Sequence, residues 1–280
     1  MFAPRDANVG FEAWPALDEL FPTAYQGINP NRGLDGTVID TDRQPLADRI
    51  RRYFAAKSFE DAAQRFPALA DQYAGYDAKQ VWESLCKSGS DETKTVPLDL
   101  RWLYYETESK LLNRPRPELA ANATQNEFLL AVPQPRRVSE ARPVLTGTTF
   151  DLHVHDRGSV GFPRESQPGK LVERTANLRL EAWKALRAAW SHPGESLADA
   201  PARQLVGELF RCALAILHSP QYEGDHADAL AQDWAHVPIP KDRMLFAELV
   251  KLGHMISTLL DPAIASDDTI QQILGEGATH

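Results

Sequence analysis

The chain has 280 residues, of which 43% are hydrophobic, and a formal net charge of -9 at neutral pH. This length allows one large domain or two small ones, and the hydrophobic content is typical of a globular protein with a sizeable core. No apolar run approaches the roughly 20 residues of a membrane span, and the N-terminus lacks the basic and apolar regions of a secretory signal. The two cysteines cannot form a disulfide framework, so the composition indicates a cytoplasmic protein without a membrane partner.

The charge is unevenly distributed along the chain. Residues 110–170 contain nine lysines and arginines against six acidic residues, whereas the remainder contains 21 basic residues against 33 acidic ones. The negative total argues against general nucleic-acid binding, because that binding depends on an excess of positive charge. The basic middle is compatible with one local site for an anionic partner, and equally with no such site.

The N-terminal part is predicted to be helical. Apolar residues in 11–21 indicate one short helix, and residues 41–87 show the apolar spacing of three helices. Ser58 followed by Asp61 resembles the capping box of the second helix, and Asp77 is positioned to cap the third.

The middle of the chain, from about residue 95 to residue 165, is predicted to be rich in β-structure. Residues 96–104 alternate between apolar and polar side chains, which is the pattern of one strand with one buried face. A second strand is predicted at 127–132. Residues 143–163 are predicted to form further strands, with a hairpin whose turn lies at 156–158.

The C-terminal part is predicted to be a helical lobe. Three stripes of apolar residues, within 180–190, 206–217 and 245–259, have the spacing of half-buried helices. Residues 234–240 form an extended connector, and the tail from Ala263 onward is predicted to be a frayed helix. The fold class predicted from the whole chain is therefore α+β.

Two proline-stiffened basic turns lie in the β-rich middle, at 110–116 and 136–142. Each proline fixes its own φ and favours extended backbone in the residue before it. Arginine and lysine side chains on such a stiff arm are suited to hold a phosphate or a base edge. The alternative is an ordinary surface loop with solvated arginines. A further arginine, Arg32, lies in a turn rich in Gly, Pro and Asn, where it either contacts a ligand or ties two loops together.

His153 and His155 suggest a different function. On a strand, side chains two positions apart point to the same face, and metal-dependent hydrolases of the amidohydrolase type place two zinc ligands in this way. A complete site needs further ligands on later strands, whereas the chain downstream is predicted to be helical. The alternative is a hairpin whose polar face carries the two histidines.

No catalytic motif is found in the sequence. It contains no GxSxG, no HExxH, no paired CxxC and no phosphate-binding P-loop. Residues 29–31, Asn-Pro-Asn, do not supply the Asn/Asp-Pro-Pro-aromatic motif of adenine methyltransferases. We therefore expect no catalytic residue and no metal or cofactor bound by this chain.

Four segments, in order along the chain, resemble the C-terminal part of type ISP restriction-modification enzymes. They are GINPNRGLDGTVID (27–40), PLDLRWLYYE to KLLNRPRPE (97–118), DLHVHDRGSVGFP (151–163), and ALAILHSPQYEGDHADALAQDWAHVPIP with LFAELVKLGHMISTLL (213–260). The resemblance covers most of the chain.

This resemblance implies a role in phage defence. Such enzymes combine a nuclease, a helicase-like translocase, an N6-adenine methyltransferase and a C-terminal target recognition domain in one polypeptide. Residues 1–94 would then be a helical linker or lobe that follows a missing methyltransferase domain, and residues 95–280 would form the target recognition domain. S-adenosylmethionine, ATP and Mg²⁺ are expected only in the missing domains. The expected partners are double-stranded DNA and the methyltransferase and translocase domains or subunit.

The residues expected to bind DNA are basic side chains on the stiff turns. Arginine pairs well with guanine, and phosphate contacts from Arg and Lys position a domain on the duplex. The candidates are Arg32, Lys110, Arg114, Arg116, Arg136, Arg137, Arg142 and Arg157.

Three functions remain open at this point. The first is a DNA-recognition module without catalysis of its own, the second a metal-dependent hydrolase built on His153 and His155, and the third a non-functional truncated remnant. Whether the chain is a fragment, a split subunit or a remnant is also open.

Overall fold

A computed structural model describes residues 9–30, 37–70, 77–88, 95–98, 101–107, 111–132, 142–155, 158–167 and 173–261. Helices and strands alternate in groups along these residues. The helices are α1 (Val9–Glu12), α2 (Leu17–Leu20), α3 (Arg43–Phe54), α4 (Phe59–Arg65), α5 (Ala78–Ser88), α6 (Pro117–Ala123), α7 (Leu180–Trp190), α8 (Ala200–Leu217), α9 (Pro220–Leu230) and α10 (Arg243–Leu260). The strands are β1 (Tyr25–Gln26), β2 (Ile39–Asp40), β3 (Thr95–Leu98), β4 (Arg101–Tyr104), β5 (Phe128–Ala131), β6 (Val144–Thr146), β7 (Val160–Pro163), β8 (Glu165–Ser166) and β9 (Thr175–Ala176).

The chain divides into two compact units, each built from separated stretches. The larger unit comprises Met1–Gln26, Asn122–Gly147 and His155–His280, and the smaller unit comprises Gly27–Ala121 and Thr148–Val154. Both contain helices and antiparallel strands, so the predicted α+β class is confirmed. The functional boundary predicted at residue 94 stays a prediction.

The larger unit is organised around a four-stranded antiparallel sheet in the order β1-β7-β5-β6. All four residues of β5 and all four of β7 are buried, which is typical of central strands that are covered on both faces. Leu129 of β5 is paired with Phe162 of β7 on one side and with Leu145 of β6 on the other. A separate two-stranded sheet joins β8 to β9.

Helix α8 forms the centre of the larger unit's core, because 12 of its 18 residues are buried. Its Phe210 packs edge-on against Phe21, with ring centroids 4.9 Å apart. The same cluster contains Phe162 from the sheet and the fully buried Trp183 from α7. Helix α10 approaches α8 so closely that a Cβ on Gly253 would lie 1.9 Å from the carbonyl oxygen of Arg211.

The smaller unit pairs a three-stranded antiparallel sheet, in the order β2-β4-β3, with helix α3. Arg49 of α3 donates hydrogen bonds to the carbonyl oxygens of Thr37 and Ile39, at 2.9 and 3.0 Å, and forms an ion pair of 2.8 Å with Asp40. Helix α5 packs on α3, and its Trp82 donates a hydrogen bond of 2.9 Å to the carbonyl of Tyr53. Through its three contacts, Arg49 links helix α3 to the edge strand β2.

Most of the predicted helices are confirmed. Residues 41–87 contain α3, α4 and α5, and the three C-terminal stripes lie on α7, α8 and α10. Ser58 Oγ accepts a hydrogen bond of 3.2 Å from the backbone N–H of Asp61, and Asp77 Oδ1 accepts one of 3.0 Å from Gln80. The prediction of one helix within 11–21 is wrong, because α1 ends at Glu12 and a separate helix, α2, spans Leu17–Leu20.

Two strand predictions are wrong in their pairing. Residues 96–104 are not one strand, since β3 and β4 pair with each other in antiparallel register, with Leu98 opposite Arg101. Residues 152–155 form turns, and β7 pairs with β1 and β5, so the hairpin predicted within 143–163 does not form. The strand predicted at 127–132 is confirmed as β5.

Two helices, α6 and α9, are missing from the sequence-based prediction. Helix α8 ends at Leu217 and is followed at once by α9, in which Pro220 is the first residue and Ser219 Oγ accepts a hydrogen bond from Tyr222 N. The predicted tail from Ala263 onward lies outside the described residues. None of the helices in the described ranges is both long enough and apolar enough to cross a membrane.

Candidate nucleic-acid interface

The stiff arm predicted around Arg114 is attached through its backbone. The Arg114 N–H donates a hydrogen bond of 2.9 Å to the carbonyl of Asn29, and the Asn29 N–H donates one of 3.0 Å to the carbonyl of Arg114. These two bonds form an antiparallel bridge. Arg114 is exposed. The two bonds therefore fix its backbone while the residue remains accessible to solvent.

A third segment joins the same arrangement on the other side of Asn29. The Ile28 N–H donates a hydrogen bond of 2.8 Å to the carbonyl of Phe150, and the Leu152 N–H donates one of 2.8 Å to the carbonyl of Ile28. This is a parallel bridge between Ile28 and Asp151. Residues 27–30 therefore lie between residues 113–116 and residues 150–154, and we call these three segments together the three-segment corner.

Gly27 is required for this close approach. A Cβ on Gly27 would lie 2.5 Å from the backbone nitrogen of Leu152 and 2.6 Å from the carbonyl carbon of Asp151. Real Cβ atoms do not approach backbone atoms so closely, and backbone atoms cannot move aside as a flexible side chain can. The corner thus explains one of the two glycines that delimit the turn at 27–36.

Arg116 has an unusual backbone conformation. Its φ is +51°, in the left-handed region, which costs about 1–2 kcal/mol for a residue other than glycine. The extended backbone expected before Pro117 is therefore not observed at Arg116. Its carbonyl accepts a hydrogen bond of 3.1 Å from the N–H of Ala120, so this conformation directs the chain into helix α6.

The segment 151–154 forms a tight turn at one end of the corner. The buried Asp151 accepts a hydrogen bond of 2.7 Å at Oδ1 from the His153 N–H, and its carbonyl accepts one of 3.3 Å from Val154. The side chains of His153 and Val154 are exposed. The sequence indicated His153 either as a metal ligand or as part of the polar face of a hairpin, and no local pattern predicted that this turn lies near Arg114.

The metal-site hypothesis loses its geometric basis. His153 and His155 lie in turns and not on a strand, so their spacing does not place both side chains on one face of a sheet. The backbone N–H of His155 donates a hydrogen bond of 3.0 Å to Ser159 Oγ. Within the described ranges there is no group of three or more His, Cys, Asp or Glu side chains that could hold a metal ion.

Arg142, another candidate, is engaged by an acidic side chain. Its guanidinium forms an ion pair of 2.6 Å with Glu223 of helix α9, and the two side chains are 40% and 29% exposed. This neighbour reduces the positive charge that Arg142 presents to solvent. The other candidates lie outside the described residues and, like the role of Arg142, stay predictions; they are Arg32, Lys110, Arg136, Arg137 and Arg157.

Burial keeps one tyrosine and both cysteines in their neutral forms. Burial raises the pKa of Tyr105 to about 12, and the carboxylates of Glu118 and Glu106 act in the same direction, so the phenol stays protonated at neutral pH. Burial also raises the pKa of Cys212 to about 12 and that of the half-buried Cys86 above its ordinary value. Both thiols therefore remain protonated and are poor nucleophiles.

Comparison with solved structures shows where this fold recurs. The solved structures that resemble the chain include a DrdV–DNA complex determined by cryo-electron microscopy, with a TM-score of 0.61 and 16% identity. They also include a nuclease-deletion mutant of the type ISP enzyme LlaGI in complex with a DNA substrate mimic, with a TM-score of 0.58 and 14% identity. A third is the ATP-dependent type ISP enzyme LlaBIII bound to DNA, with a TM-score of 0.55 and 16% identity. These matches cover 92%, 92% and 91% of this chain, but only 26%, 24% and 17% of the respective matched chains. The chain thus spans about a quarter or less of their length.

A family model gives the more specific result. The model described as the type ISP C-terminal specificity domain matches residues 19–260. A search of curated proteins found no match. The family match confirms the resemblance of the four sequence segments and covers most of the chain, including both compact units. The chain therefore belongs to the family of type ISP C-terminal specificity domains.

Proposed function

We propose that the chain is the DNA sequence-recognition module of a type ISP restriction-modification system. It positions a target adenine for an N6-adenine methyltransferase, and serves a nuclease and translocase, none of which is contained in the chain. The observation that carries this proposal is the match of the specificity-domain model to residues 19–260. The resemblance to three structures of complexes with DNA or a DNA substrate mimic supports it.

The three-segment corner supplies a contact surface for the proposed role. It presents the exposed residue Arg114, whose backbone N–H and carbonyl are both hydrogen-bonded to Asn29. Arginine reads guanine through two parallel hydrogen bonds and also binds phosphate, and both roles require a fixed backbone. The net charge of -9 means that affinity must come from such local contacts and from other parts of the enzyme.

The proposed module has a nucleic-acid ligand and protein partners. Double-stranded DNA is the ligand of the module, and the methyltransferase and translocase parts are its protein partners. S-adenosylmethionine, ATP and Mg²⁺ bind to those parts and not to this chain. A cytoplasmic location and a role in phage defence belong to the same proposal.

A fluorescence-anisotropy titration with a labelled pool of randomised duplexes tests the proposal. We expect salt-sensitive binding of the chain, because Arg and Lys contacts to phosphate release counterions. Changing Arg114 to Ala should weaken binding and reduce the slope of log affinity against log salt by about one if the side chain contacts phosphate. A second variant, Arg136→Ala with Arg137→Ala, tests the other basic turn.

Arg65→Ala is the matched control. It removes one arginine from the same unit, 56% exposed and paired with Asp61 at 2.9 Å on helix α4. Binding should change little in this variant. Absence of duplex binding at low salt would contradict the proposal, and an equal loss in the Arg65 and Arg114 variants would remove the corner from it.

A further inference from the structure

Val154 is an unusual side chain for its position. Among the described residues of the smaller unit, it is the one large hydrophobic side chain that is exposed, at 39%. The first two residues of the turn are buried, with Asp151 7% and Leu152 8% exposed, whereas His153 is exposed like Val154. An isolated exposed valine is ordinary on a protein surface, so its meaning depends on how it is held and on what lies beside it.

The turn that carries Val154 is held rigidly. Phe150 is fully buried, and the backbone on either side of Asp151 is hydrogen-bonded to Ile28 at 2.8 Å. The Asp151 carboxylate accepts the His153 N–H and is buried, so its charge is directed inward and not toward a ligand. A side chain on such a braced turn has a fixed direction, which is what recognition of a base edge requires.

The chemistry beside Val154 fits a DNA groove. Residues 28–29 pair with Asp151 on one side and with Arg114 on the other. At the usual spacing of paired strands, the backbones of Asp151 and Arg114 therefore lie about 10 Å apart. Val154 lies three residues beyond Asp151, in a turn closed by the hydrogen bond of 3.3 Å from its N–H to the Asp151 carbonyl, so it stays close to Asp151. The major groove is about 12 Å wide, so side chains on these two segments can reach the same stretch of duplex. The methyl group of thymine is the apolar feature of a base pair's major-groove edge.

We infer that the 151–154 turn is a base-reading element, in which Val154 contacts the methyl group of a thymine while Arg114 anchors the neighbouring backbone or guanine. The inference rests on the proposed function and adds the side chain and the base feature that give part of the specificity. His153, exposed on the same turn, lies next to Val154 and supplies a polar group at the edge of this contact.

Selection of duplexes from a randomised library, followed by sequencing, tests this assignment. The sequences selected by the wild-type chain, Val154→Ala and Val154→Thr are compared at one salt concentration. The salt dependence of duplex affinity is measured separately for each protein. Val154→Thr keeps the branched shape that suits the turn and replaces one methyl by a hydroxyl. We expect Val154→Ala to lose about tenfold in discrimination at a single T·A position and Val154→Thr, which keeps one methyl, to lose less, each with an unchanged salt slope.

Duplexes with uracil in place of thymine give a second readout, because uracil lacks the methyl group and keeps the same hydrogen-bonding groups. The wild-type chain should bind the uracil-substituted site about as weakly as Val154→Ala binds the thymine site, and the variant should not distinguish the two. Leu180→Ala, which removes a side chain of 41% exposure on α7, is the control and should leave the selected sequence unchanged.

The possible outcomes separate the inference from the proposed function. If the wild-type chain selects no sequence, the proposed function fails and the inference fails with it. If the wild-type chain selects a sequence and both Val154 variants select the same one with equal strength, only the inference is overturned. A uniform loss of affinity over all sequences would also overturn it, because that result indicates a backbone or protein contact.

Discussion

Two glycines, one in each compact unit, meet the same steric demand in different surroundings. A Cβ on Gly253 would lie 1.9 Å from a backbone oxygen of helix α8, and a Cβ on Gly27 would lie 2.5 Å from a backbone nitrogen of the 151–154 turn. Gly253 lies in α10, which packs along α8, and both helices have 18 residues. Gly27 lies where short segments are joined by a few backbone hydrogen bonds.

The close backbone approach at these two glycines has different consequences in the two units. In the larger unit, the close approach of α10 and α8 is part of the main core, so loss of the glycine affects the stability of the whole unit. In the smaller unit, the close approach sets the position of the candidate interface. Substitutions at the two glycines should therefore separate effects on stability from effects on binding.

Gly253→Ala should have the largest effect. The new methyl group would overlap the Arg211 carbonyl, and neither backbone can move without displacing a long helix. We expect a loss of about 3 kcal/mol or more in the free energy of unfolding, at the upper end of what overpacking usually causes. Guanidinium denaturation followed by circular dichroism measures it.

Gly224→Ala is the control for this prediction. Gly224 lies within helix α9, and no atom lies within 4 Å of the position that its Cβ would occupy. Alanine should be neutral there or stabilise by up to about 1 kcal/mol, because it is the better helix former. Equal stabilities for the two variants would show that α10 does not pack on α8 as described.

Gly27→Ala should have an intermediate effect on stability and a larger effect on binding. Overpacking against Leu152 should lower the free energy of unfolding by about 1–3 kcal/mol and displace the turn from residues 27–30. We expect a salt-sensitive duplex affinity at least about tenfold weaker, since the corner would lose its geometry. Fluorescence anisotropy measures the duplex affinity and thermal unfolding measures the stability, both on the same preparation.

Gly147→Ala serves as the reference, because its Cβ would meet only the Asn126 carbonyl oxygen, at 3.9 Å, which is an ordinary contact. That variant should retain both stability and binding. If Gly27→Ala bound DNA as tightly as Gly147→Ala, the three-segment corner would not be part of the interface.

The smallest expected effect concerns a histidine in the larger unit. Burial lowers the pKa of His218 below its ordinary value of 6.5, and the charge of Arg142 adds to this, while a hydrogen bond of 2.8 Å between Nε2 and the Pro143 carbonyl opposes it. Because the folded-state pKa is the lower one, the unfolded chain takes up a proton first. This contribution to stability is therefore complete above pH 6.5 and is lost as the pH falls through the folded-state value.

Thermal unfolding between pH 8 and pH 5 measures the contribution of His218. In His218→Gln the amide can still donate a hydrogen bond to the Pro143 carbonyl, but it does not titrate. The decline in melting temperature below pH 6.5 should therefore be shallower in the variant than in the wild-type chain. An identical decline in both would assign the pH dependence to other groups.

The sequence predicted helices better than sheets because helical signals are local. The spacing of apolar residues identified α3, α8 and α10, and the capping residues Ser58 and Asp77 were correctly located. Helix α9 was missed because its buried face consists of only Tyr222, His226 and Leu230, and one of these is polar. The alternation of apolar and polar residues identified strands but not the strands with which they pair. The position of β5 between β6 and β7 could therefore not be predicted.

The candidate interface was predictable only in part, for the same reason. Proline spacing identified the arm that carries Arg114, but the bridge to Asn29 joins residues 85 positions apart, and no local pattern encodes it. The ion pair of Arg142 with Glu223 joins residues 81 positions apart. A sequence gives the number of positive charges, whereas only the fold shows which of them already have an acidic neighbour.

The smaller unit is completed by a short stretch, Thr148–Val154, that returns to it after the chain has entered the larger unit. Ile28 has its backbone partner in this returning stretch and not in the continuous part of the unit. Recombination between related genes that exchanged only the continuous part would combine one parent's arm with the other parent's turn. A transfer of recognition specificity between two such proteins therefore has to carry two separate pieces of coding sequence together.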